Sequence, residues 1–284
     1  MKLIHFANKN HVGLLNLTHS LQPGWEQIIL GMGIKWEGWK TRMKAYKDYL
    51  ETLPSDEVVV LSDAYDVLCL RSSQEFLSTF SKFQKPIVIG AETQCDLNCH
   101  APTHYWEQCD IKGDRKYVNG GLMCGKARHL CDMWKWCLEK KFEDDQVGLG
   151  HYTDTFPDLV GLDVDSNLFF NDHRAITPYQ FDSNTYALNY QNKVLTPFFI
   201  HFHGVNIMTS IPILHVFREK DMFQVGKNYK VVGNQINGFQ HITAFPPDQR
   251  SLQLDLTIER ICFWVVIGLL LLLCLYLAVK RRKS

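Results

Sequence analysis

The run Glu57-Val-Val-Val-Leu-Ser62 empties directly into Asp63-Ala-Tyr-Asp66 and turns apolar again at Val67. Its β-branched centre, Val58 to Leu61, reads as a strand covered on both faces, so the fold has to supply a layer on either side of it. A mainly parallel sheet between helices meets that requirement, and in such sheets ligands gather beyond the carboxyl ends of the strands. Two carboxylates three residues apart at that end suit a hard divalent cation held against a diphosphate. For an isolated pair the competing reading is a turn cap at Asp63 and a solvated Asp66.

Strand and helix signals alternate around this run. Lys2 to Phe6 reads as a strand, His11 to Leu21 as a helix, Gln27 to Leu30 as a second strand and Lys40 to Thr52 as a helix with Met43, Tyr46, Lys47 and Leu50 at helical spacing. Gln74 to Phe83 is a predicted helix stopped before Pro86, which opens a buried strand ending at Ala91. Asn119-Gly-Gly121 precedes the strand-like Leu122 to Gly125, and Arg128 to Lys141 is helical with Leu130, Met133, Trp134, Cys137 and Leu138 on its apolar stripe. Leu162 to Asn171 and Pro197 to His203 are further strand candidates. The expected fold class is therefore α/β, a Rossmann-like, mainly parallel sheet flanked by helices.

A chain of 284 residues with 46% hydrophobic content is long enough for one sizeable core with an extension. Lysine plus arginine equals aspartate plus glutamate at 30 each, and the one dense basic cluster is Lys280 to Lys283, so nucleic acid is not an expected partner. Ile261 to Val279 contains no charge, proline or asparagine. At about 1.5 Å per residue it matches a hydrocarbon core of about 30 Å, with Trp264 and Tyr276 suited to the two interfaces. A single C-terminal membrane anchor is expected. Met1 to Asn8 does not read as a signal peptide, which favours a main domain on the cytosolic side, although the basic tail also suits the cytosol. The organisation expected is a main α/β domain over 1–210, an extension or stem over 211–259, the span over 260–279 and a basic tail over 280–284.

Nine cysteines do not fix the redox compartment. Cys95, Cys99, His100 and Cys109 have poor spacing for zinc and read better as a disulfide or buried thiols. Asn16-Leu-Thr18 is a glycosylation sequon, meaningful only for a lumenal domain.

Four polar clusters fall at predicted strand or helix ends: Lys40 with Arg42, Asp63 with Asp66, Asn119 with Asp144 and Asp145, and His201 with His203. Cations suit phosphates, carboxylates suit Mn²⁺ or Mg²⁺, and an imidazole added to oxygen ligands tilts the choice towards Mn²⁺. Together they describe a metal-dependent nucleotide-sugar site.

The order and spacing of Trp39-Lys-Thr-Arg42, Leu61-Ser-Asp-Ala-Tyr-Asp-Val67, Gly90-Ala-Glu92, Tyr117-Val-Asn-Gly-Gly121, Asp144-Asp-Gln146, Leu162-Asp163 with Asn171, and His203-Gly204 resemble the glycosyltransferase domain of the procollagen lysyl hydroxylases and the related procollagen galactosyltransferases. The resemblance runs from about Lys2 to Asn206. It implies a GT-A fold, Mn²⁺ and a UDP-sugar donor. It also implies that Asp63, Asp66 and His203 hold the metal, that Tyr65 lies against uridine and that Lys40 belongs to the nucleotide pocket. Asn119, Gly120 and Gly121 match the turn under the donor sugar, and Asp144 and Asp145 the acidic pair facing sugar and acceptor. Two departures stand out. Trp36-Glu-Gly-Trp39 replaces a glycine-rich stretch, and Val205 intervenes between His203-Gly204 and Asn206. The residues beyond Asn206 are too few for a hydroxylase domain, so lysyl hydroxylation is not expected.

The resulting expectation is transfer of a hexose, glucose or galactose, from a UDP-sugar to a hydroxyl on a protein or glycan, hydroxylysine or galactosyl-hydroxylysine of a collagen-like chain included. Two other classes compete: a catalytically silent nucleotide- or carbohydrate-binding membrane protein on the same fold, and a metal-dependent phosphohydrolase.

Overall fold

The computed structural model describes residues 1–93, 115–172, 179–182, 184–202, 229–232 and 241–242. The chain divides into two compact units, Met1–Thr243 and Ala244–Ser284, and every described residue belongs to the first. The first half runs β1 (Lys2–Phe6), α1 (Val12–Ser20), β2 (Glu26–Leu30), α2 (Trp39–Leu50), β3 (Val58–Ser62), β4 (Val67–Cys69), α3 (Phe76–Ser81) and β5 (Ile87–Glu92). The second runs β6 (Tyr117–Lys126), α4 (Ala127–Glu139), α5 (Asp145–Thr155), β7 (Val160–Asp163), β8 (Phe169–Asn171), β9 (Tyr179–Asp182), β10 (Ala187–Tyr190), β11 (Lys193–Leu195), β12 (Phe199–His201), β13 (Tyr229–Val232) and β14 (His241–Ile242).

The main sheet has the order β14-β13-β2-β1-β3-β6-β5-β7. β13, β2, β1 and β3 are mutually parallel, β5 and β7 are parallel, and β6 runs antiparallel to both β3 and β5. This mostly parallel sheet flanked by helices fits a GT-A-like domain. Strand alternation sends neighbouring side chains to opposite faces, and the two cores follow that parity. Ile4, Val59, Leu61 and Ile89 pack under α2, α4 and α5 through Met43, Leu130, Trp134 and Leu149. Leu3, Val60, Val88 and Leu122 pack on the other side against Leu17, Phe76, Phe169 and Phe199.

Two small sheets complete the second face. One has the order β4-β12-β8 and the other β11-β10-β9, and Leu68, Phe170, Leu188 and Ile200 form the core they share. β13 and β14 come from the stretch expected as a stem, yet they extend the main sheet beyond β2. Among the described residues no helix is long and apolar enough to cross a membrane; residues 261–279 lie outside them, as do Cys95, Cys99, His100 and Cys109.

Candidate active site

The site is assembled where β1 and β3 end and β6 begins. Asp63 leaves β3 with its backbone N–H donating to the Gly121 carbonyl at 2.8 Å, which fixes the acidic segment against β6. Asp66 precedes β4, and its carbonyl accepts from Phe202 N at 2.8 Å. Because β12 pairs antiparallel with β4, with His201 opposite Val67, the histidine is delivered to the same place. Asp63, Asp66 and His201 each offer one ligand atom, all within 4.8 Å of one another.

The chemistry of His201 is set by its second nitrogen. Nδ1 lies 3.0 Å from Asn119 Oδ1 and 2.9 Å from Asn171 Oδ1. Asn119 Nδ2 donates to Glu92 and Asn171 Nδ2 to the Ala91 carbonyl, so both oxygens are left as acceptors. Nδ1 therefore carries a hydrogen. Nε2 then faces Asp63 Oδ2 and Asp66 Oδ2, each at 3.4 Å. Burial of the ring opposes a charge there, but the carboxylates of Asp66 and Asp63 outweigh it and raise the imidazole to about 10. The same field that favours a proton at this point favours a divalent cation. Two carboxylate oxygens and an imidazole nitrogen fit the donor set of such an ion, with the amide partners of Nδ1 orienting the ring.

Asn119, Gly120 and Gly121 belong to β6 rather than to a free turn. The register between β5 and β6 shifts between Ile89 and Ala91, placing the segment in a bulge opposite Gly90. Within it Gly121 N donates to Asn119 Oδ1 at 2.9 Å, and Gly120 N to Gln146 Oε1 at 3.0 Å. Gly121 has no substitute: a Cβ there would collide with Cε1 of the His201 ring, whereas one on Gly120 would meet nothing nearer than Leu149 Cδ1 at 3.5 Å.

The other expected residues divide into two groups. Asp145 is brought to the cluster through Arg42, whose guanidinium bridges Asp145 Oδ2 and Asp63 Oδ1. Burial raises the Asp145 carboxyl despite the pull of Arg42, while the same arginine, against the cost of burial, holds Asp63 below the usual carboxylate range. Asp144 serves as the N-cap of α5, accepting from Val147 N at 3.1 Å. Lys40, in the first turn of α2, pairs with Glu143 at the surface. Tyr65 turns towards the connection between β1 and α1, where its hydroxyl donates to Asn8 Oδ1 at 3.1 Å and its ring packs edge-on to His11 at 4.9 Å. His203 lies outside the described residues.

Glu92, Gln146 and Asn171 carry no expected role from the sequence, and the family resemblance gives the third metal ligand as His203 rather than His201. Glu92 is buried and joins Asn119 to Gln146 by bonds of 3.3 and 3.2 Å. The available signal is that Glu92, Gln146 and Asn171 all sit inside the motifs that carry the family resemblance.

The sequence model of the family described as the PLOD GT domain matches residues 1–213. Among curated proteins, the chain is 26% identical over 182 residues to a multifunctional procollagen lysine hydroxylase and glycosyltransferase of Caenorhabditis elegans; the match covers 58% of this chain and 24% of that protein. It is 26% identical over 199 residues to an uncharacterized protein of Acanthamoeba polyphaga mimivirus, covering 66% of this chain and 41% of the viral one. The chain thus spans well under half the length of these relatives. With the family's model covering most of the chain, and with the acidic pair at the carboxyl end of β3 beside the bulged β6 in the middle of a GT-A-like sheet, the protein belongs to the PLOD GT domain family, a family of glycosyltransferase domains.

Proposed function

We propose that this protein is a divalent-cation-dependent glycosyltransferase that moves a hexose from a UDP-sugar to a hydroxyl acceptor, with Mn²⁺ preferred and Mg²⁺ tolerated. One observation carries the reading: in a chain of this family, Asp63, Asp66 and His201 converge on one point beyond the end of β3. Bound there, the ion would neutralise the charge that develops on the UDP leaving group. His201 is the third ligand on this reading, and His203, two residues on, is the alternative.

The remaining roles belong to the protein's own groups. Asn119 and Asn171 hold the His201 ring with Nε2 towards the carboxylates. Tyr65 and Lys40 flank the nucleotide, and Gly120 and Gly121 let the backbone approach the donor sugar. Asp145 orients the acceptor hydroxyl or takes its proton, while Asp144 fixes the start of the helix that presents it. The name of the nematode relative makes hydroxylysine of a collagen-like chain the first acceptor to try.

The test is UDP release by the full chain from a panel of UDP-sugars, with Mn²⁺ and with chelator. Mn²⁺-dependent release from one sugar, abolished in Asp63→Asn and Asp66→Asn, is the expected result. UDP binding without turnover would instead mark a silent binding protein, and phosphate liberated from UDP itself a phosphohydrolase.

A further inference from the structure

Arg42 stands between the cation cluster and Asp145 and divides its N–H groups unequally. Nε, at 2.7 Å, and Nη2 both donate to Asp145 Oδ2, while Nη1 donates to Asp63 Oδ1. The Arg42 and Asp145 side chains are 8% and 4% exposed, so water screens their interaction little. Trp39 lies across the guanidinium with its ring centroid 4.7 Å from Cζ, which holds the plane of the fork. The remaining oxygen of Asp63, Oδ2, is the one that faces His201 Nε2.

We propose that Arg42 is a positioning residue that couples Asp145 to the cation site, Asp145 holding two of the guanidinium's N–H groups so that Arg42 takes only Oδ1 of Asp63 and leaves Oδ2 to act as a ligand. This rests on the reading of Asp63 and Asp66 as cation ligands. The physical basis is competition, because an arginine fork and a divalent ion seek the same carboxylate. With Asp145 ionised, two N–H groups are committed to it and one oxygen of Asp63 stays open. With Asp145 neutral, the planar fork turns to its best remaining partner and takes Asp63 through two parallel bonds. Asp145 thereby sets cation affinity without touching the cation. Loss of its charge, by substitution or by proton uptake from an acceptor, would loosen the ion.

A double-mutant cycle on the full chain tests this, read as Mn²⁺ binding by the electron paramagnetic resonance of free Mn²⁺ with no nucleotide present. Asp145→Asn is expected to weaken Mn²⁺ binding about tenfold in the natural background and by less than about twofold once Arg42 is replaced by methionine. Arg42→Met alone should bind Mn²⁺ at least as tightly as the natural chain, a direction that a purely structural arginine would not give. Equal losses from Asp145→Asn in the two backgrounds overturn the coupling and leave the cation reading standing. No Mn²⁺ binding by the natural chain overturns the cation reading and the coupling with it. If thermal melts show Arg42→Met unfolded, Arg42→Gln takes its place in the same cycle.

Discussion

At the residue scale, the site depends on space and charge around one imidazole. Adding a methyl at Gly121 drives a Cβ into the His201 ring, which is itself held by two amides. Gly121→Ala should cost about 1–3 kcal/mol and weaken Mn²⁺ binding at least about tenfold; Gly120→Ala, with ordinary contacts at its Cβ, should lower the melting temperature far less. Thermal melts of the two variants side by side decide the matter. Charge makes a second prediction. In the absence of metal, the rise of His201 from 6.5 to about 10 gives a stabilisation that is complete below about pH 6.5 and is lost as pH rises through about 10. Metal-free protein should therefore melt at progressively lower temperature from pH 7 to 10, and the slope should disappear in His201→Asn. Mn²⁺ has to displace that proton, so its affinity should rise with pH over the same range and its binding should release a proton. Calorimetry in buffers of different ionisation enthalpy measures this directly. Asp63 and Asp66 are legible in the sequence because both sit on one local strand end. Arg42 is visible there as a basic residue, but its contacts lie 21 and 103 residues away, and no local pattern encodes such a bridge. A lone histidine is more often structural, which is why sequence alone ranks His201 low.

At the element scale, periodicity finds what it is able to find. β1, β2, β3, α2 and α4 lie within a residue or two of their expected bounds because each carries an unbroken apolar pattern. α5 escapes it. Its sequence, DQVGLGHYTDT, has two glycines and no apolar stripe, and it holds its place through the Asp144 cap and the buried Leu149 and Tyr152. β6 is expected only from Leu122, since glycines argue against strand interiors; pairing with both β3 and β5 overrides that bias. The turn from β7 to β8 illustrates a motif residue whose work is structural. Asp163 is wholly buried, and its carboxylate accepts from Asn167, Leu168 and Phe169 N at 2.8, 2.7 and 2.7 Å. Burial raises this carboxyl to about 6 against those three donors. Asp163→Ala strands three N–H groups and should cost about 2–4 kcal/mol by chemical denaturation. Asp163→Asn keeps one acceptor and should fall between; an alanine variant as stable as the natural chain would refute this account.

At the scale of the whole molecule, the unit Met1–Thr243 contains every described site residue, while the apolar stretch 261–279 lies in the other unit. If that stretch is an anchor, the full chain should stay with membranes through an alkaline carbonate wash, and a chain ending at residue 255 should be released. Which side the main unit occupies would ordinarily be read from the sequon Asn16-Leu-Thr18, because glycan transfer occurs only in the lumen. The fold removes that reporter. The sequon lies within α1, and Thr18 is buried, its hydroxyl donating to the Leu14 carbonyl at 2.8 Å and accepting from Gln27 Nε2 at 3.0 Å. Gln27 in turn is buried beside His5 on the adjacent β1. Presenting Asn16-Leu-Thr18 in the extended form a transferase needs would unwind α1 and strip these partners from the sheet. The folded protein should therefore carry no glycan at Asn16 on either side of the membrane, and translation with microsomes should give one band whose mobility endoglycosidase does not change. A glycan at Asn16 would mean that the sequon is modified before α1 docks, and the order in which α1 joins the sheet would then have to be late.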